Sequence, residues 1–170
     1  MDGLQSNGTT MAGSIWILKI EGVNILSNVE GLVTLQERMV NLVNQMTIPV
    51  VEVAIVIESH INQLLPKLIE FSQKNSIQLS SKITQRWEIE VENSAYSNSN
   101  FSIDKVLDII DKDRMDIFST LIRVTLNEVQ LEYTDAILFL RSWEKLVREQ
   151  LAQVSGPGQL FSPLEIPDGF

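Results

Sequence analysis

Between Met115 and Val154 apolar residues fall at alternating steps of four and three: Ile122, Leu126, Val129, Tyr133, Ala136, Leu140, Trp143 and Val147, then Gln150 and Val154. Gln150 alone breaks the register. This spacing puts the row on one face of an α-helix. A second row, Ile117, Val124, Leu131 and Leu138, runs along the opposite face. The first two-thirds of the stretch therefore needs neighbours on two sides, and the part from Arg141 onward on one. Taken as a single helix it would be about 60 Å long, against roughly 40 Å for a compact chain of this size. The bundle is then elongated, or the helix breaks. Thr134-Asp135 is the best break point, because Thr can cap a new helix, with a local strand over Val129–Tyr133 as the variant. Asp113 is the expected cap at the start.

Upstream, Ser27-Asn28 offers a cap and Val29, Leu32, Val33, Leu35, Met39, Val40, Leu42, Val43 and Met46 recur at helical spacing, predicting a helix over 28–46. Gly31 should weaken its start by roughly 1 kcal/mol relative to Ala. After Thr47-Ile48-Pro49, the series Val50, Ala54, Ile57, Ile61, Leu64, Leu68 and Phe71 fits a second helix, kinked at Pro66. Leu79, Ile83, Trp87, Val91 and Ala95 step by four, and Ser102 can cap Ile103–Ile110. Asn93–Asn100 is the clearest loop.

Three stretches carry a competing strand pattern. Trp16, Leu18 and Ile20 alternate, with Glu21-Gly22 able to turn a hairpin; Val50–Ile57 is dense in β-branched residues; Arg86–Val91 alternates as well. Against them stands the span from Lys67 to Ser155, 89 residues with neither Gly nor Pro. Tight turns draw on those two residues for their special φ. The expected fold is therefore mostly all-α: a helical bundle with a long C-terminal helix and room for a small β element near 15–26. The alternative is α/β or α+β with strands near 15–20, 50–57 and 86–91. Residues 1–13 read as a flexible leader, 14–154 as one helical domain, and 155–170, which hold three of the five Pro, as a tail. That tail either folds back on its own domain or docks in a partner's groove.

The formal net charge is −9, with 13 basic residues dispersed among 22 acidic ones. Nucleic-acid binding needs clustered Lys and Arg, so it is not expected, nor is attraction to an anionic membrane surface. No Cys is present, which removes disulfides, thiol nucleophiles and Cys-based zinc sites. The apolar stretch Ser14–Leu26 is interrupted by Lys19, Glu21 and Gly22, so neither a signal peptide nor a membrane insertion is expected, and an intracellular, cytoplasmic location follows as the default expectation. The sequons at Asn7 and Asn100 read as chance matches.

Candidate chemistry is sparse. His60 is the lone histidine, a general base or ligand in principle, and more often simply hydrogen-bonded. Asp104, Asp108 and Asp111 share one helical face and Asp113 and Asp116 extend it, but Lys112 and Arg114 interleave and no EF-hand glycine is present. They read as a solvated face, as do Glu88, Glu90 and Glu92. Trp16, Trp87 and Trp143 are core candidates. No phosphate-binding glycine loop or nucleophile elbow occurs, and no cofactor and no catalytic or metal residue is expected. The leading expectation is a non-catalytic interaction or assembly module, its partner a protein or a second copy, acting through the seam of Tyr133, Leu140, Trp143, Val147, Leu151 and Val154. The alternative is a helical sensor or carrier holding an apolar ligand between helices, with His60 near the mouth.

Overall fold

The structure is a computed structural model; it describes residues 11–90 and 103–170, with backbone alone for 11–27 and 103. About 75% of it is helical, in six helices, and no sheet forms among the described residues. The helices are α1 (Met11–Met46), α2 (Val50–Lys74), α3 (Ser81–Thr84), α4 (Ile103–Ile109), α5 (Lys112–Val129) and α6 (Tyr133–Ala152), with a 3-10 turn at Pro157–Phe161. The all-α expectation holds. The β element near 15–26 does not form, since α1 is helical from Met11, and so the leader expected at 1–13 is helical over 11–13. Val50–Ile57 is the first two turns of α2. The loop at 93–100, the cap at Ser102 and both sequons lie outside the described residues.

Four helices build the core. α1 lies along α5 and α2 along α6, while α2 also meets α5. Leu35, Met39 and Val43 of α1, Val53 and Ile57 of α2, Phe118 and Ile122 of α5, and Leu140, Trp143 and Val147 of α6 are buried together. Gly31 is not merely a weak spot in α1. A Cβ there would stand 3.1 Å from Val129 Cβ, so the missing side chain lets α1 close on the end of α5.

The helix ends follow from local chemistry. After Met46, Thr47 takes a left-handed φ of 46°. Its N–H donates to Asn44 O and the Ile48 N–H to Val43 O (3.1 Å), closing a Schellman motif around the buried Val43–Ile48 contact. Ser76 (φ 55°) ends α2 in the same way, with Ile77 N–H on Ser72 O at 2.9 Å. The long C-terminal helix breaks, but four residues before Thr134. Gln130 adopts φ 51° and α6 restarts after an extended Glu132. Leu131, between them, is buried, and Asp135 sits in the first turn of α6, where a carboxylate suits the helix dipole. No strand precedes the break. The cap of α5 is Asp111, not Asp113: its carboxylate accepts the Arg114 N–H at 3.0 Å.

The second apolar row is only partly used. Leu131 is buried, but Ile117 and Val124 are exposed, so among the described residues no neighbour covers the side of α5 that two-sided patterning implied. Over its described part, 79–90, the helix expected through Leu79–Ala95 is reduced to α3, capped by the Ser80 hydroxyl, and Val91 and Ala95 lie outside the described residues. Residues 86–90 continue as irregular chain across α6, so the strand considered for 86–91 is not formed over its described part.

The tail docks in cis. Its Leu164 is buried in the main core. The Val50 N–H, an orphan of the first turn of α2, donates to Ser162 O at 2.9 Å, and the Leu164 N–H donates to Ile48 O at 3.0 Å. Gln150 clasps Glu165 in both directions: its side-chain oxygen accepts the Glu165 N–H at 3.0 Å and its amide donates to Glu165 O. Gln150, the one polar break in the heptad row, is thus one of the residues that hold the tail.

Candidate interaction surface

The seam residues separate into two groups. Leu140, Trp143 and Val147 are buried within the chain's own core and present no free face. Leu151 and Val154 are half-buried; Leu151 borders an open groove along the outer side of α2, and Val154 lies beside the tail. Tyr133, at 45% exposure, is the one largely exposed member. The heptad row records how α6 packs against its own bundle.

Part of the charged face of α6 is also internal, although Lys145 and Glu149 stay at the surface. Arg141 and Glu144 are buried and paired at 2.7 Å. Arg141 Nε donates to Ile83 O, and Glu144 also takes Arg86 Nε at 3.1 Å, while Arg86 reaches Glu58 of α2. Arg148 donates to Trp87 O at 2.6 Å instead of pairing with Glu144. Residues 83–87 therefore cover what the heptad pattern marks as the solvent side.

The titratable candidates are similarly committed. His60 is buried where α2 meets α5, its Nε2 3.0 Å from Ser119 Oγ. Desolvation holds its pKa below the ordinary value, opposed by the Ser119 backbone and reinforced by a smaller push from Arg123. Within the acidic stretch, Asp104, Asp108, Asp113 and Asp116 are exposed and Asp111 is a helix cap. Among the described residues no three His, Cys, Asp or Glu side chains gather as a metal site would require. Glu88 and Glu90 are exposed, as expected, and Glu92 lies outside the described residues.

Two polar residues carry more weight than the sequence reading assigned. Glu52, 1% exposed, accepts Arg114 Nε at 2.6 Å, Arg114 Nη2 at 2.7 Å and the Asp111 N–H at 2.9 Å. The hydrogen bonds from Arg114 to Glu52 raise the Arg114 pKa above its ordinary value. They also lock the start of α5 onto α2. The second residue is Gln36 on α1. Its side-chain oxygen accepts Trp143 Nε1 at 2.8 Å, and its amide donates to Phe170 O at 2.9 Å. A sequence signal for Glu52 existed, since a lone acid inside a β-branched run calls for a buried partner. Gln36 had none.

Around Gln36 the surface turns apolar. The Phe170 ring stands edge-on to Trp143 with centroids 5.4 Å apart, while Phe118 approaches the indole at 6.5 Å. Next to Phe170 lies an open groove of about 520 Å³ between α1 and α6, bordered by Leu32, Val33, Glu37 and Phe139. Val33, at 50% exposure, and Val29, at 52%, extend the apolar side of α1 beyond it. On the other flank of the tail a second groove of about 360 Å³ carries Glu37, Val40, Asn44 and Asp168.

No described helix is long and apolar enough to cross a membrane. The chain matches no protein-family model, no curated protein and no solved structure.

Proposed function

We propose that the protein is a non-catalytic interaction module that docks a protein partner through the groove between α1 and α6. The supporting observation is that the groove beside Phe170 is apolar, open and already taken in part by an apolar segment of the chain itself. Exposed valines continue it along α1. The titratable groups, in contrast, serve packing: His60, Glu52, Arg114, Arg141 and Glu144 all sit in structural hydrogen bonds or ion pairs. Glu37 borders this groove, Asp168 adds a second carboxylate on the adjoining groove across the tail, and the whole chain carries −9, so the fitting occupant is an apolar segment flanked by Lys or Arg.

The test is selection of a random peptide library on the immobilised chain, with Val33→Asp as counter-selection. Val33 is half exposed, so this change should leave stability within about 0.5 kcal/mol. Enriched peptides should combine an apolar anchor with basic neighbours and lose binding to the variant. Enrichment insensitive to Val33→Asp, or none, would reject the groove. Sedimentation of both proteins adds the homo-oligomer outcome: an assembly that Val33→Asp splits would make a second copy the occupant.

The carrier alternative gains no specific support. His60 lines neither groove and is occupied by Ser119.

A further inference from the structure

The tail has two parts that are held very differently. Residues 162–165 are anchored by two backbone hydrogen bonds at the start of α2, by the reciprocal Gln150 pair and by the burial of Leu164. Beyond Glu165, among the described residues, one hydrogen bond reaches the rest of the chain, from Gln36 to Phe170 O, and the half-buried Ile166 and Phe170 side chains pack on the edge of the core, Phe170 against Trp143, with no fully buried anchor like Leu164. Between them Pro167–Phe170 forms a turn. The Phe170 N–H donates to Pro167 O at 3.1 Å and Gly169 has φ +79° at the third position, the type II arrangement that needs Gly there. The turn aims the Phe170 ring back at the indole. Open grooves lie on both sides of it.

Deepening the docking reading above, on which it rests, we propose that residues 166–170 are a reversible latch over the Trp143 end of the groove. The partner segment that replaces it carries the same chemistry: an aromatic anchor for Trp143 and a backbone carbonyl for the Gln36 amide. The latch itself displays that chemistry in place. Gln36 is suited to exchange, because its oxygen stays on Trp143 while its amide is free to change acceptors. On the second groove, along the other flank of the latch, Asp168 and Glu37 place two carboxylates, so the latch is poorly matched in charge on that side. A partner with Lys or Arg at the equivalent place corrects this. Being tethered, the latch competes at a high effective concentration, which keeps the groove closed until such a partner arrives.

The experiment uses the full chain labelled with 5-fluorotryptophan, its three fluorine resonances assigned by single Trp→Phe changes. Phe170→Ala should move the Trp143 resonance and leave that of Trp87 in place. The probes are the pentapeptide Ile-Pro-Asp-Gly-Phe, copied from residues 166–170, and its Asp→Lys form. Both should return the Trp143 resonance of Phe170→Ala toward the wild-type position, the Lys form at lower concentration. Wild type should need at least tenfold more of either peptide. Gly169→Ala provides a second route. A Cβ there meets nothing within 4 Å, so it acts on the turn alone through the positive φ. It should raise peptide affinity in the same direction without touching the core. Equal affinity for wild type and both variants, or no effect of either peptide on Trp143, overturns the latch. The readout needs no natural partner. A failed latch with a Val33-sensitive library selection therefore leaves the docking reading standing, and the reverse pattern rejects docking and with it the partner that would replace the latch, leaving only an exchangeable tail contact on Trp143.

Discussion

Arg114→Met probes the most deeply buried charge in the bundle. Glu52 is 1% exposed and accepts three hydrogen bonds, two of them from the Arg114 fork. Removing Arg114 leaves the carboxylate with the Asp111 N–H as its remaining protein donor. Breaking a buried pair from one side costs about 3–5 kcal/mol, because the surviving ion keeps its desolvation penalty and loses its partner. Arg114 keeps a quarter of its side chain exposed, so water can reach the vacated space and the lower half of that range, about 3 kcal/mol, is expected. In a chain of this length that amounts to roughly 6–12 °C in Tm. Glu52→Leu combined with Arg114→Met removes both charges and should recover most of the loss, since well-packed apolar replacements of buried pairs are often neutral. Urea denaturation followed by circular dichroism supplies both stabilities, with an unchanged m value as the check that the transition still exposes the same surface. A single variant within about 1 kcal/mol of wild type, or a double variant no more stable than the single, would refute the assignment of Glu52–Arg114 as a coupled buried pair.

Val147→Asp should cost several kcal/mol and unfold the subunit, because the site is internal and offers the carboxylate no partner; a helical, folded but dissociated variant in sedimentation would show that the α6 seam is an interface after all. Thr47→Gly should stabilise by up to about 1 kcal/mol in thermal melts, since a β-branched residue is strained at φ 46°, and a loss of similar size would contradict the strain. For His60, burial favours the neutral ring, so the unfolded chain binds the proton more readily than the folded one. The associated stability is fully present above the unfolded value of 6.5 and is lost as pH falls from there through the lower folded value. His60→Gln should flatten this part of the pH–stability curve, and an unchanged slope would remove His60 as its source.

The α-helical class was legible because it depends on periodicity, which the chain carries through most of 28–154. The run 50–57 shows why pattern outweighs propensity. Its β-branched residues suit a strand, yet Val50, Val53 and Ile57 share a helical face and fill one core. Helix ends were read less well. Thr47, Ser76 and Gln130 each enter the left-handed region without being Gly, and Gln130 breaks the long helix where no turn residue marks it. The seam was read correctly as an apolar face, but periodicity does not say whether the neighbour on that face is the same chain or another.

By itself, the sequence determined that this chain is a helical bundle, which faces of its helices are apolar, and that it lacks cysteine chemistry and the clustered basic charge of a nucleic-acid binder. Those properties follow from residue identity and local spacing. Only the tertiary structure decided that α2 covers the α6 seam, that residues 83–87 cover the charged face beside it, that Glu52 meets Arg114 across 62 positions, and that Gln36 joins Trp143 to Phe170. The reason is physical. A side chain's periodicity is set by its own backbone, whereas its partner is set by which distant surfaces bury the most apolar area while leaving no buried polar atom unpaired.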